Sequence, residues 1–170
     1  MGKGFPLVTS EAEFVRILEH FVAYYASLGS AEKIRLIAHH FLDAMAFWSL
    51  EDLVLSTTTI LEIIAATAKD VAAAQGNRID KFHQRIAYAA SRFNLPPLPP
   101  NFRDMRNDLV HEGTLSGSKF SGKNADDCGK AAAEALDWID AYLFAALNLG
   151  LRPIARFANE RFSGANSFSL

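Results

Sequence analysis

SLEDLVLSTTTILEIIAATAKDVAAAQG, residues 49–76, is the stretch whose reading decides the fold. Its middle, Thr57-Thr58-Thr59-Ile60, suits a strand by propensity alone, because β-branched side chains fit a pleated surface. The flanks decide otherwise. Leu50, Leu53, Val54, Thr57, Leu61, Ile64, Ala68 and Val71 keep a period of 3.6 throughout. Ser49 with Asp52 caps the start, and Gly76 stands just past an end near Gln75. One long helix therefore runs through the threonines. Glu62 lies next to its apolar stripe and reads as facing water rather than reaching Arg106.

Upstream, Ser10 with Glu13 forms a capping box for a helix carrying Phe14, Ile17, Leu18, Phe21, Tyr24 and Tyr25, which Gly29 ends. Ser30 caps the next, with Ile34, Ile37, Phe41, Leu42, Met45 and Trp48 facing inward; the short connection predicts an antiparallel pair. Downstream, Asn77 caps a helix with Ile79, Phe82, Ile86, Ala89 and Phe93 on one side, and Asn94 takes the left-handed ending. Leu95-Pro96-Pro97-Leu98-Pro99-Pro100 cannot be helical, since four prolines remove donors and push their predecessors towards extended geometry. It is a stiff spacer that aims whatever follows. Asn124 with Asp127 starts the last long helix, whose stripe is Leu136, Ile139, Tyr142, Leu143, Ala146 and Leu147 and which Gly150 ends. Trp138 and Ala131-Ala132-Ala133 read as packed inside one bundle in preference to a dimer contact. The expected fold is all-α, an antiparallel bundle of about five to six helices. It is one domain over 1–170, with a core of about 10–150 and a C-terminal extension at 151–170.

At 170 residues, half of them hydrophobic and 21% charged, the chain has the balance of a water-soluble domain with a substantial core. A net charge of −2 gives no global basic field to pull it onto nucleic acid. The single Cys128 excludes an internal disulfide and a cysteine-rich zinc site. No signal-type apolar region adjoins Met1-Gly2-Lys3, and charged residues interrupt every apolar stretch before ~18 residues. The expected location is the cytoplasm, with no membrane contact. His20, His39, His40 and His83 form no metal-ligand spacing, so no metal and no cofactor is expected. Glu19-His20 and Glu32 with Arg35 look like solvated surface.

Residues of catalytic type gather in Asn101–Gly113. Asn101 caps a helix there and Gly113 closes it in a left-handed turn. At ~100° per residue, Phe102, Met105 and Leu109 share one buried arc, while Arg106, Asn107, Val110 and His111 occupy another. Asn107 and His111, four apart, can touch. The outer face thus carries a fixed cation, an amide and an imidazole, a set suited to an anionic substrate undergoing proton transfer. An Arg and a His at this spacing also occur in ordinary helices, where a C-terminal His suits the dipole. Asp108 and Glu112 flank the motif; they either depress affinity for an anion or hold Arg106 by pairing. Thr114 to Asn124 reads as a mobile loop whose Lys119 and Lys123 are candidate phosphate contacts.

Arg106-Asn107-Asp108-Leu109-Val110-His111, followed by Gly113, resembles the Arg-polar-spacer-His signature of HEPN domains, in the abortive-infection-like branch. The resemblance implies an all-helical homodimer and a metal-independent endoribonuclease that cleaves RNA by attack of the adjacent 2′-hydroxyl. Arg106 would hold the scissile phosphate, His111 would transfer protons, and Asn107 would orient either. It further implies a toxin or antiphage effector held by an antitoxin or other regulatory protein. Its other branch is a catalytically inactive HEPN module that binds RNA, nucleotide or a protein.

Overall fold

The computed structural model describes residues 10–46 and 49–149, without the side chains of Ser27, Leu28 and Met45. Among the described residues lie six helices: α1 (Glu11–Ala31), α2 (Ile34–Ala46), α3 (Leu50–Ala74), α4 (Phe82–Arg92), α5 (Pro100–Glu112) and α6 (Ala125–Ala146). The described residues form an all-helical bundle. The inward placement expected for Met45 and Trp48, the ending at Gly150 and the extension from 151 fall outside the described residues.

α3 is the post round which the others stand, packing against α2, α4, α5 and α6. The threonine run survives inside a helix because each hydroxyl donates to the carbonyl four residues back: Thr57 to Leu53 at 2.7 Å, Thr58 to Val54 at 2.7 Å, Thr59 to Leu55 at 3.0 Å. Thr57 can therefore be fully buried without an orphaned hydroxyl. Ser56 reaches across to the His40 carbonyl at 2.9 Å and ties α3 to α2. Ser49 caps the helix through the Asp52 amide, as expected. At the other end Gly76 is left-handed and the Asn77 amide turns back to the Ala72 carbonyl at 2.9 Å. That bond corrects one expectation. Asn77 closes α3 instead of opening α4, which starts only after Lys81, whose amide donates to Gln84 at 3.1 Å. Asn94 and Asn148 supply the left-handed endings of α4 and α6.

The first connection also differs. α1 continues through Gly29 and Ser30, and the chain turns at Glu32-Lys33, with Lys33 left-handed. The reason is tertiary. Glu32, expected on the surface, is 4% exposed and accepts from Arg92 at 2.6 Å and from the Tyr142 hydroxyl at 2.6 Å. A glycine inside a helix costs about 1 kcal/mol, less than charge-assisted bonds worth roughly 1.5–3 kcal/mol each. His20, also read as surface, is half-buried and lies 3.3 Å from the Leu147 carbonyl, stacked on Tyr24. Leu42 points outward at 65% exposure, against expectation, while Ile34, Ile37 and Phe41 are buried. In α6, Ala131, Ala132, Ala133 and Trp138 are all buried within the one bundle.

Candidate active site

The proline spacer is pinned before it reaches α5. The Trp138 indole N–H donates to the Pro96 carbonyl at 2.7 Å, so the extended segment lies against α6. Pro100 then takes the first helical position, where a missing N–H is harmless. Asn101 is consequently inside the first turn and does not cap the helix. At the far end Gly113 is left-handed, as expected, with its amide on the Leu109 carbonyl at 3.1 Å. Phe102 and Met105 are buried and Leu109 packs on the core edge. This seating leaves Arg106 and Asn107 half-buried and Val110 and His111 exposed on the outer face.

Arg106 is held from two sides. Its Nη1 donates to Asn107 Oδ1 at 3.1 Å, and its Nη2 meets Glu62 Oε1 at 3.4 Å. Glu62 thus reaches Arg106 while remaining nearly half exposed, which corrects the expectation that it only faces water. The guanidinium stands at a cleft of about 200 Å³ between α3, α4 and α5. Thr58, Glu62, Arg106 and Asn107 form its polar side; Leu61, Leu98, Phe82 and Phe102 form its apolar side. Asn107 accepts from Arg106 and so positions the cation; among the described residues no hydrogen bond joins it to His111. His111 lies in the last turn of α5 and does not line the cleft.

Two further side chains do line it. Arg103 sits three residues before Arg106 and therefore on a neighbouring face of α5, paired with Asp104 at 2.9 Å. That spacing was open to sequence reasoning. His83, the second residue of α4, had no local signal; only the packing of α4 on α3 brings it to Glu62 and Arg106.

Asp108 settles the loop. It is fully buried and accepts the backbone amides of Gly117 at 3.0 Å, Lys119 at 3.1 Å and Phe120 at 2.7 Å. Burial alone would raise its pKa; the Phe120, Lys119 and Gly117 amides together outweigh that and hold the carboxyl below its usual range. Glu112 accepts the Ser118 amide at 3.1 Å and its hydroxyl as well. Neither acid pairs with Arg106 in these bonds. The segment expected to be a mobile loop is instead fastened to α5, with Phe120 buried beneath it. A Cβ on Gly117 would lie 2.9 Å from Asp108 Cγ, so the close approach requires glycine there. Lys119 and Lys123 are exposed and stand on this fastened loop, outside the residues that line the cleft.

Asp108→Asn leaves one acceptor oxygen for three amide donors and turns an NH₂ towards the Lys119 amide, and its melting temperature is expected to fall by several degrees at pH 7. Since the folded carboxyl titrates below the unfolded one, its contribution is complete above ~4 and disappears as pH drops through the folded value. Thermal melts of both proteins from pH 7 to pH 3 check this: the gap between them narrows with acid.

Among the described residues no three His, Cys, Asp or Glu side chains gather as a metal site, and no helix is long and apolar enough to cross a membrane. No family model, curated protein or solved structure matches the chain.

Proposed function

We propose that this chain is a HEPN-like, metal-independent endoribonuclease that acts as a homodimer on RNA. One observation carries the reading: Arg106 is positioned by Asn107 and Glu62 at the mouth of a cleft, with His111 exposed further along the same helix. A planar guanidinium so held suits the charge that develops on a phosphorane. In the reaction the 2′-oxygen attacks phosphorus and the bond to the 5′-oxygen breaks. The products are a 2′,3′-cyclic phosphate and a 5′-hydroxyl. One imidazole takes the 2′ proton and another gives a proton to the departing oxygen. A single chain offers one His111, so a twofold dimer with facing α5 helices supplies the pair. Val110, 48% exposed beside His111, gives that contact an apolar element. A role as toxin or antiphage effector in the cytoplasm, restrained by an antitoxin or regulatory protein, follows the same resemblance. Lys119 and Lys123 contact RNA outside the cleft in this reading.

One observation favours a second reading, a catalytically silent HEPN module that binds RNA, nucleotide or a protein partner. His111 does not line the Arg106 cleft, and Glu62 already neutralises Arg106. Purified protein incubated with total RNA in excess chelator decides between them. Cleavage by wild type that is lost in His111→Ala supports the enzyme; RNA bound but left intact by wild type supports the silent module.

A further inference from the structure

The cleft beside Arg106 does not end there. A second depression of about 150 Å³ lies over Pro97, Pro99, Pro100 and Ile86, and the two share Phe82, His83, Leu98 and Arg103 as their common wall. Together they make one groove, polar at the Arg106 end, apolar over the prolines, with a guanidinium and an imidazole at the divide. We propose that this groove seats single-stranded RNA next to the scissile phosphate, one nucleotide in each depression, with Arg103 and His83 on the phosphate between them. The proposal rests on the ribonuclease reading for its substrate and adds residues that reading does not use.

Size, charge and rigidity point the same way. Each depression is smaller than the ~300–1,000 Å³ pockets that enclose whole drug-sized ligands. Each therefore admits one ring-sized group, with its charged linker left at the rim. Phe82 and Leu98 on one side, and the proline rings on the other, offer apolar faces against which a base can lie, and such contacts are tolerant of sequence. The proline spacer is extended, tied to Trp138, and changes little on binding. Among the described residues Arg103 is paired only with its neighbour Asp104, and it is half exposed to water. Exposed pairs of that kind are worth at most about 1 kcal/mol, so a phosphate can replace the carboxylate. His83 stands in the first turn of α4, at the positive end of that helix. The chain as a whole is slightly acidic, so in this proposal RNA is held by the Arg103 guanidinium and the N-terminal end of α4 set between apolar walls.

The test uses the full chain and a fluorescent 2′-O-methyl RNA octamer, which cannot be cleaved, followed by anisotropy. Arg103→Ala is expected to weaken binding about tenfold and to flatten the salt dependence by about 0.7, the mark of one lost phosphate contact on a single strand. His83→Ala weakens it several-fold. Leu98→Trp fills the shared wall and weakens it tenfold or more, with a thermal melt to show that the fold is kept. Adenosine or uridine monophosphate competes poorly if an RNA chain is the occupant. Competition by either monophosphate, or by polyglutamate, as strong as that of unlabelled octamer overturns the proposal. Wild-type binding by both Arg103→Ala and His83→Ala also overturns it, even where Arg106→Ala abolishes cleavage and the catalytic reading stands. Conversely, a wild type that cleaves nothing yet binds the octamer through Arg103 and His83 removes the catalytic reading and keeps the groove.

Discussion

Under the ribonuclease reading proposed above, Arg106→Ala is expected to lower RNA cleavage by about 10²–10³-fold, the usual consequence of removing one preorganised donor aimed at developing negative charge. The size of the effect depends on where the side chain is. Its guanidinium is about one-third exposed, and its fold contacts are one amide oxygen and one half-exposed carboxylate. Losing them costs the fold little, because surface substitutions away from core, caps and networks stay within about 0.5 kcal/mol. The expected melting temperature therefore matches wild type while the rate collapses. Arg106→Lys recovers only part of the rate, since an ammonium keeps the charge and loses the two-pronged geometry. Glu62→Gln separates the two roles of the pair. If Glu62 only orients Arg106, the amide still accepts a hydrogen bond and the rate changes a few-fold at most. Single-turnover cleavage of a labelled RNA in chelator, read beside thermal melts, measures all three. A rate for Arg106→Ala equal to wild type would remove Arg106 from the chemistry.

How far the sequence reached depended on whether a feature was local. The 3.6 period through Thr57-Thr58-Thr59 was enough to make α3 a helix, because the hydroxyl bonds that permit it lie within one turn. The caps at Ser10, Ser49 and Asn124, and the left-handed endings at Gly76, Asn94 and Gly113, were equally legible, each being set by a side chain or glycine beside the backbone it serves. What escaped was whatever a distant partner decides. Gly29 looked like an ending until Glu32, pulled inward by Arg92 and Tyr142, moved the turn along the chain. Asn77 looked like a cap until its own amide was committed to Ala72. Asp108 and Glu112 looked like acids flanking a cationic site, and a Gly/Ser/Lys loop looked free. The structure joins them, and no spacing rule links Asp108 to the amides of 117, 119 and 120. The candidate site divides the same way. Arg103, Arg106 and Asn107 came from one helix and are together; Glu62 and His83 join them through packing; His111 stays one turn apart.

The largest loss of stability falls far from this site. Glu32→Ala is expected to destabilise the chain by about 3–5 kcal/mol, the range for deleting one partner of a buried ion pair, and to lower the melting temperature by roughly 10 °C at this chain length. The deletion leaves Arg92, only 21% exposed, without its acceptor. It also leaves Tyr142, fully buried, with its hydroxyl unpaired. Burial, then the hydrogen bond and charge of Glu32, hold that phenol well above its usual titration range, so it stays a donor at any ordinary pH. Glu32→Gln keeps the shape but turns an NH₂ towards one of two donors, and should lose about half as much. The informative variant removes both charges. Glu32→Leu with Arg92→Met relieves the stranded cation, and replacing a buried pair by apolar groups is often neutral, so the double change should cost clearly less than the two single changes added together. Urea melts with unchanged slope give these differences directly. Strict additivity would mean that Glu32 and Arg92 do not act as a unit.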